Sequence, residues 1–422
     1  MSAPLVAVDG ARPFVRPHIE LADIVRFLGE HYLHSRNLSA VQARVLRDIE
    51  HCRTPALGGH LDVCEHCGQA QPSYNSCRNR HCPKCQGIRR AQWVADRMEQ
   101  ILPTPYFHTV VTVAHELNPL FRANPARLYG LFFHAVACAL QELCADPKYV
   151  GGQAGFTAVL HTWTQEMELH VHLHLVVTAG GLDPDGSRWI PCRRNFLVPN
   201  RALAKLVRAK LCDTIEKAHE QDPLHLPDSL SAPGALRRLL RKVRRKKWIA
   251  YSKAPFAGPE QVFLYLGQYT HRVAISNHRL THFSEGEVTF SARDNQKPGA
   301  RRQVKLPAGE FLDRFLLHVL PDRFVRIRHY GLLASRNLPT KLPLARRLLE
   351  AQAPACRAEA PVALRTPHPR SWQQWLERLT GIDPTRCPHC KAGQLVRFPL
   401  PRAAPQSTLY PAARRTAHDD TS

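Results

Sequence analysis

Apolar residues return every three or four positions along Ile19 to Leu28 and again along Ser39 to Ile49, the spacing that turns one face of a helix inward. Ser39 stands where a hydroxyl can cap the second of these helices. The same period marks Pro125 to Ala145, Arg201 to His219, Gly234 to Lys247 and Gly309 to His318. A further helix is predicted to start after Gly258-Pro259, since proline suits a first helical turn, and to run through Tyr269. Strands are predicted where β-branched and aromatic residues run together: Phe107 to Val113, Phe156 to Trp163, and Glu168 to Thr178, which Gly180 and Gly181 break. Val288 to Ala292 and Gln303 to Leu306 read as an edge hairpin. Between the first helices and the first strand the period vanishes into a stretch rich in Gly, Asn, Arg and Cys. It fades again after Leu344, and ten prolines among the 72 residues from Ala351 to Ser422 predict a largely irregular tail. The pattern is that of an α+β protein.

A chain of 422 residues has room for two or three folded units. The patterning divides it into a helical segment over 1–50, a cysteine-rich module over 51–95, a main body over 100–285, a basic hairpin and helix over 286–345, and a proline-rich tail over 346–422. Lysine and arginine number 58 against 35 aspartates and glutamates, a formal charge of +23. Such an excess points to a polyanionic partner, because each phosphate neutralised releases condensed counterions. A membrane surface is the rival. The longest nearly apolar stretch, Leu131 to Leu140, is ten residues with His134 inside it, short of the ~18 that span a bilayer. Asp9, Arg12 and Arg16 interrupt any leader-like run. The expectation is a soluble, cytoplasmic protein with no membrane partner.

Thirteen cysteines, an odd number in a long chain, argue against a disulfide framework, and six of them fall within 34 residues. Cys64-Glu-His-Cys67 and Cys82-Pro-Lys-Cys85, fourteen residues apart, are two knuckles from which four thiolates can close a tetrahedron around Zn²⁺. Four protein ligands leave no open position, so such a zinc is structural. Cys52, His60, Cys77 and His81 are the right types for a second zinc, although exposed or hydrogen-bonded side chains explain them equally well. The lone Cys387-Pro-His-Cys390 pair supplies two ligands and needs partners elsewhere in the chain or in another subunit.

Leu169-His-Val-His-Leu-His-Leu-Val-Val177 puts His170, His172 and His174 on one face of a strand. Buried imidazoles need partners, and metal ligation supplies one. Same-face neighbours stand roughly 6.6 Å apart, so an adjacent pair can pinch one ion while the third histidine is secondary. On the predicted helix Tyr265 and Tyr269 are four apart and present both hydroxyls on one face. Such a pair is usually packing, but Gln268, His271, Arg272, His278 and Arg279 make the segment too polar for a plain core helix. Arg237, Arg238, Arg241, Lys242, Arg244, Arg245, Lys246 and Lys247 interleave with leucines and Val243, so one face can dock while the other meets phosphate. Trp163, Trp248 and Phe263 are candidates for stacking on bases, with core packing as the alternative.

These features resemble the HUH superfamily of single-strand DNA nucleases and, more closely, the two-tyrosine rolling-circle transposases of the insertion-sequence ninety-one family, which carry an N-terminal zinc-binding region. The resemblance runs from about Asp48 to Leu338. It rests on Ala56-Leu-Gly-Gly-His60, the run Ser76-Cys-Arg-Asn-Arg-His-Cys-Pro-Lys-Cys85, Val159-Leu-His-Thr-Trp163, His172-Leu-His174 and Gly258-Pro-Glu-Gln261. The closest agreement is Tyr265-Leu-Gly-Gln-Tyr-Thr-His-Arg-Val-Ala-Ile-Ser-Asn-His-Arg-Leu280, and Val325-Arg-Ile-Arg-His-Tyr-Gly331 and Cys387-Pro-His-Cys390 are in the same style.

The resemblance implies an HUH-type antiparallel sheet flanked by helices, with a zinc-ribbon-like module before it and residues 100–285 as the catalytic domain. His172 and His174 map to the two-histidine motif on a central strand, holding Mg²⁺ or Mn²⁺ with Gln268 or His161 as third ligand. Tyr265 and Tyr269 map to the nucleophiles, with Arg272 and the basic run at the DNA. The implied activity is cleavage and rejoining of single-stranded DNA at mobile-element ends through a 5′-phosphotyrosine. A rolling-circle replication initiator or relaxase shares that chemistry. A non-catalytic, zinc-containing DNA-binding protein is the alternative of another class.

Overall fold

Two helices open the part of the chain that the computed structural model describes, namely residues 17–193, 195–253, 267, 274–294, 297, 299–352, 369 and 371–403. Helices α1 (Leu21–Ser35) and α2 (Ala40–His51) pack together. Ser39 caps α2 as its position suggests. Its hydroxyl accepts from the Gln42 amide at 3.2 Å, and the Gln42 side chain accepts from the Ser39 amide at 3.0 Å, a reciprocal cap worth about 1 kcal/mol. The cysteine-rich stretch then forms a hairpin, β1 (Gly59–Cys64) and β2 (Ala70–Tyr74), followed by helix α3 (Gly87–Glu99).

Long apolar runs build the main body. Strand β3 (Tyr106–Thr112), the short α4 (Asn118–Ala123), α5 (Pro125–Ala145), β4 (Gly155–Trp163) and β5 (Leu169–Thr178) follow in order. A small hairpin, β6 (Gly180–Leu182) with β7 (Trp189–Pro191), precedes α6 (Asn200–Gln221), α7 (Ala235–Arg245) and β8 (Ile249–Lys253). A three-stranded sheet of β9 (Leu280–Ser284), β10 (Glu287–Arg293) and β11 (Arg301–Pro307) leads into α8 (Ala308–Leu316), and β12 (Ile327–Gly331) returns to the first sheet. That sheet has the order β12-β4-β5-β3-β8, antiparallel throughout, with β5 in the middle.

Alternation on β5 decides what faces where. Val171, Leu173, Leu175 and Val177 enter a core built with α5, α6 and α7, where burying each large side chain contributes about 2 kcal/mol. His170, His172 and His174 therefore emerge on the opposite face. Helix α5, 21 residues, is long and apolar enough to cross a bilayer by length and composition. Here it is the core helix, with ten buried residues against the sheet and α6.

The expected hairpin forms, but β10 is the middle strand of its sheet and not an edge. Strand β9 escapes the sequence pattern because Leu280 alone of its five residues is buried. In the tail, α9 (Lys341–Gln352) covers Trp189 and Leu332, and residues 371–403 carry α10 (Trp372–Thr380) and β13 (Leu395–Leu400). Strand β13 pairs antiparallel with β1 along its whole length, from Gly59 opposite Leu400 to Cys64 opposite Leu395. A late segment of the chain thereby meets the N-terminal cysteine-rich region. Phe263, Tyr265, Gln268, Tyr269, His271, Arg272 and Cys356 lie outside the described residues; Gly267, inside the predicted tyrosine helix, is helical.

Candidate active site and metal centres

Strand pairing assembles the histidines. His161 of β4 stands opposite His172, and Val110 of β3 opposite His174. One ring nitrogen from each of His161, His172 and His174 lies within 4.8 Å of the other two. Nitrogens bound to one divalent ion at about 2.1 Å stand ~3–4 Å apart, so small side-chain adjustment brings the set onto a single ion. His170 stays outside. Its ring sits 5.0 Å from that of His172, and its carbonyl accepts from Nδ1 of His172 at 2.7 Å. That bond fixes the proton on Nδ1 and leaves the lone pair on Nε2.

His108 of β3 is the partner that the sequence did not single out. It is 7% exposed, and its Nε2 lies 2.9 Å from Nδ1 of His174. With the Nδ1 proton of His174 donated to His108, Nε2 of His174 keeps its lone pair. Burial holds His172 down to about 4 and His174 well below the usual imidazole range, the latter helped by His172 and His108. Both rings are neutral at physiological pH, so a cation would meet lone pairs rather than protons.

Helix α3 covers this face. Trp93 and Met98 pack over Val176, two residues along β5 from His174, and Arg97 reaches Nε2 of His329 at 3.0 Å. Gly267 is buried against α3: a Cβ built there would come within 2.3 Å of a Val94 methyl. Glycine lets the backbone at this position approach α3 this closely. Through α3, Gly267 stands on the histidine side of the sheet.

The thiols sort differently from the sequence expectation. Cys52, Cys77, Cys82 and Cys85 form one group and Cys64, Cys67, Cys387 and Cys390 another, with all sulfurs of a group within 4.8 Å of one another. Cys64, Cys67, Cys82 and Cys85 are therefore not one site. The β1–β2 hairpin carries the first knuckle away from the second, and β13 delivers the third knuckle to it. Of the other expected set, Cys52 and Cys77 stay together but His60 and His81 do not join them. His81 is 4% exposed and uses both ring nitrogens elsewhere: Nε2 accepts from the Leu320 amide at 3.1 Å and Nδ1 lies 3.1 Å from Oδ1 of Asn79. His60 lies on β1 between Pro399 and Ser73.

In the first group the Cys85 sulfur is 3.3 Å from that of Cys52 and 3.5 Å from that of Cys77. Hydrogen bonds among the four, led by those to Cys52, drive Cys85 far down and Cys77 and Cys82 far up. Sulfurs at about 2.3 Å from a tetrahedral zinc stand about 3.8 Å apart, so the group fits that ion.

The family model described as "Putative transposase" matches residues 155–340, and that described as "Transposase zinc-binding domain" matches residues 24–113. Over 385 residues the chain is 43% identical to the "Putative transposase y4qJ" of Sinorhizobium fredii, covering 90% of this chain and 95% of that one. The chain belongs to the insertion-sequence ninety-one family of transposases. It is also 27% identical over 371 residues to the "Transposase for insertion sequence element IS801" of Pseudomonas savastanoi pv. phaseolicola, covering 86% of this chain and 85% of that one. No solved structure matches the chain.

A transposase acts on DNA, and α7 carries its basic residues on one face. Leu236, Leu240 and Val243 are buried while Arg237, Arg238, Arg241, Lys242, Arg245 and Lys247 are exposed. Two members of the basic run are already in ion pairs: Arg244 pairs with Asp213 and Glu216 at 2.6 Å each, and Lys246 pairs with Glu116. Trp248, 6% exposed, belongs to the main core and offers no face to a base. Trp163 is half-buried and stacks on His161 with centroids 4.7 Å apart.

Proposed function

We propose that this transposase cleaves and rejoins single-stranded DNA at the ends of its element through a covalent 5′-phosphotyrosine intermediate, as rolling-circle-type transposition requires. The observation that carries the reading is the convergence of His161, His172 and His174 on one face of the central sheet. Of the two candidates for third ligand, His161 stands in the cluster and is the one we adopt. A bound Mg²⁺ or Mn²⁺ would polarise the scissile phosphate and stabilise charge on its oxygens, and imidazole ligands favour Mn²⁺.

Tyr265 and Tyr269 enter through the family resemblance, and the packing of Gly267 on the histidine side supports their placement over the cluster. A phenol with a pKa of about 10 needs help to attack phosphorus at neutral pH. Its oxygen bonds to phosphorus and gives up its proton as the bond to the 3′ oxygen breaks, and that oxygen takes up a proton. One phosphoester replaces another, so attack by the 3′-hydroxyl reverses the step without a nucleoside triphosphate. The second tyrosine permits a second cleavage while the first adduct persists. The exposed arginines of α7 hold flanking phosphates, and Cys52, Cys77, Cys82 and Cys85 hold a structural zinc.

The test incubates the protein with a labelled single strand from an element end and Mn²⁺, followed by a denaturing gel. A covalent adduct is expected, and it is expected to disappear in Tyr265→Phe combined with Tyr269→Phe while oligonucleotide binding persists. An undiminished adduct in the double variant removes both tyrosines from the mechanism.

A further inference from the structure

The family's zinc-binding match ends at residue 113, yet half of the second thiol group lies near the other end of the chain. Cys64 meets Cys390 at 3.6 Å and Cys67 meets Cys387 at 3.8 Å between sulfurs, the spacing expected of four thiolates around one zinc (about 3.8 Å). We propose that these four cysteines hold a second structural zinc, which clasps the C-terminal segment to the N-terminal module and closes the catalytic sheet inside a ring of chain.

The two knuckles share one geometry. In each, the residue after the second cysteine turns back on the first: the Gly68 amide donates to the Cys64 carbonyl and the Lys391 amide to the Cys387 carbonyl, both at 3.0 Å. Both residues are left-handed, with φ 69° at Gly68 and 59° at Lys391. Glycine takes that conformation freely, whereas lysine is strained there and needs surroundings that hold it. Backbone amides also point at the sulfurs, Cys67 donating to Cys64 at 3.4 Å and Gly393 to Cys390 at 3.3 Å. Gly393 has no room for a side chain, since a Cβ there would lie 2.5 Å from the Cys64 sulfur.

Apolar burial does not explain why the clasp holds. None of the residues of β2 or β13 is buried, and Phe398 is 50% exposed. A module with so little core depends on its metal for folding free energy. The described cysteines are all free thiols, so the group is available as thiolates.

Zinc counting tests the clasp on the full chain. Two zinc ions per chain are expected in the unaltered protein, one in Cys387→Ser with Cys390→Ser, and one in Cys64→Ser with Cys67→Ser. Combining all four substitutions should still leave one, because both pairs serve the same ion. A single zinc in the unaltered protein, or an unchanged count in Cys387→Ser with Cys390→Ser, overturns the proposal. Should a variant fail to fold, alkylation of the unaltered, zinc-loaded protein decides: the four thiols should be protected together and exposed together by a chelator. Modification of Cys387 and Cys390 at the unprotected rate in the zinc-loaded protein overturns it equally.

Discussion

The imidazole cluster and the thiol clusters bring ligands together by opposite routes. His161, His172 and His174 are set by strand register: β4 and β5 pair residue for residue from Phe156 through His161, and the alternate residues of β5 anchor the sheet from its other face. The Cys64, Cys67, Cys387 and Cys390 group has no comparable scaffold, for β2 and β13 contain no buried residue, whereas Cys52 and Cys82 of the other group sit in a core with α1 and α2. A metal on a prebuilt sheet supplies chemistry, whereas a metal in a module without a core supplies the fold. The histidine face is thus expected to keep its shape without an ion, and the module of β1, β2 and β13 is not.

Removing an imidazole gives the largest effect that separates the two. His174→Ala is expected to lower adduct formation by about 10²–10⁴-fold, because several kcal/mol of charge stabilisation at the phosphate is lost. Circular dichroism and zinc content are expected to stay at their unaltered values. An adduct at the unaltered level would place the chemistry elsewhere. Loss of zinc along with the adduct would mean that sheet and cysteine region fold as one cooperative unit.

What the sequence revealed follows the same division. Period-two alternation is local, so His172 and His174 could be read together from one strand, and the long apolar run fixed α5 at Pro125 and Ala145. The third imidazole depends on register between strands, which is why His161 and Gln268 stood as alternatives and why His108, in a plainly predicted strand, went unremarked. The grouping of the cysteines depends on a strand pairing that joins residues 326 positions apart, Cys64 and Cys390. Nearness in sequence suggested that Cys64 and Cys67 belong with Cys82 and Cys85, and chain topology overruled it. Strands β1, β2 and β13 were invisible because they bury too little to leave a hydrophobic pattern.

Acid gives the next effect. His318, 1% exposed, links the end of α8 to β4, with Nδ1 3.1 Å from the Thr162 hydroxyl and Nε2 3.0 Å from the Met167 carbonyl. Burial lowers its pKa to about 4, against ~6.5 in an unfolded chain. Between those values the unfolded state binds the extra proton, so the contribution is complete above about pH 6.5 and is lost as pH falls toward 4, by up to about 3 kcal/mol. His318→Gln keeps an amide donor for Met167 and removes the titration. The urea midpoint of the unaltered protein is expected to fall further than that of the variant between pH ~7 and ~4.5. Equal falls would assign the acid loss to other groups, the buried His172 and His174 or the thiolates, which release zinc when protonated.

The smallest effect concerns the shell around the histidines, which the thiol groups largely replace with backbone amides. His108 touches His174 at 2.9 Å, a contact suited to holding that ligand in its tautomer and orientation. His108→Ala is therefore expected to raise the Mn²⁺ concentration that gives half-maximal adduct by about 10–100-fold, with most of the adduct yield recovered at saturating Mn²⁺. A loss that Mn²⁺ does not recover would show that His108 contributes to the reaction beyond orienting His174. An unchanged Mn²⁺ requirement would mean that strand register alone is enough to hold the imidazoles, and the contrast between the two kinds of site would then be sharper still.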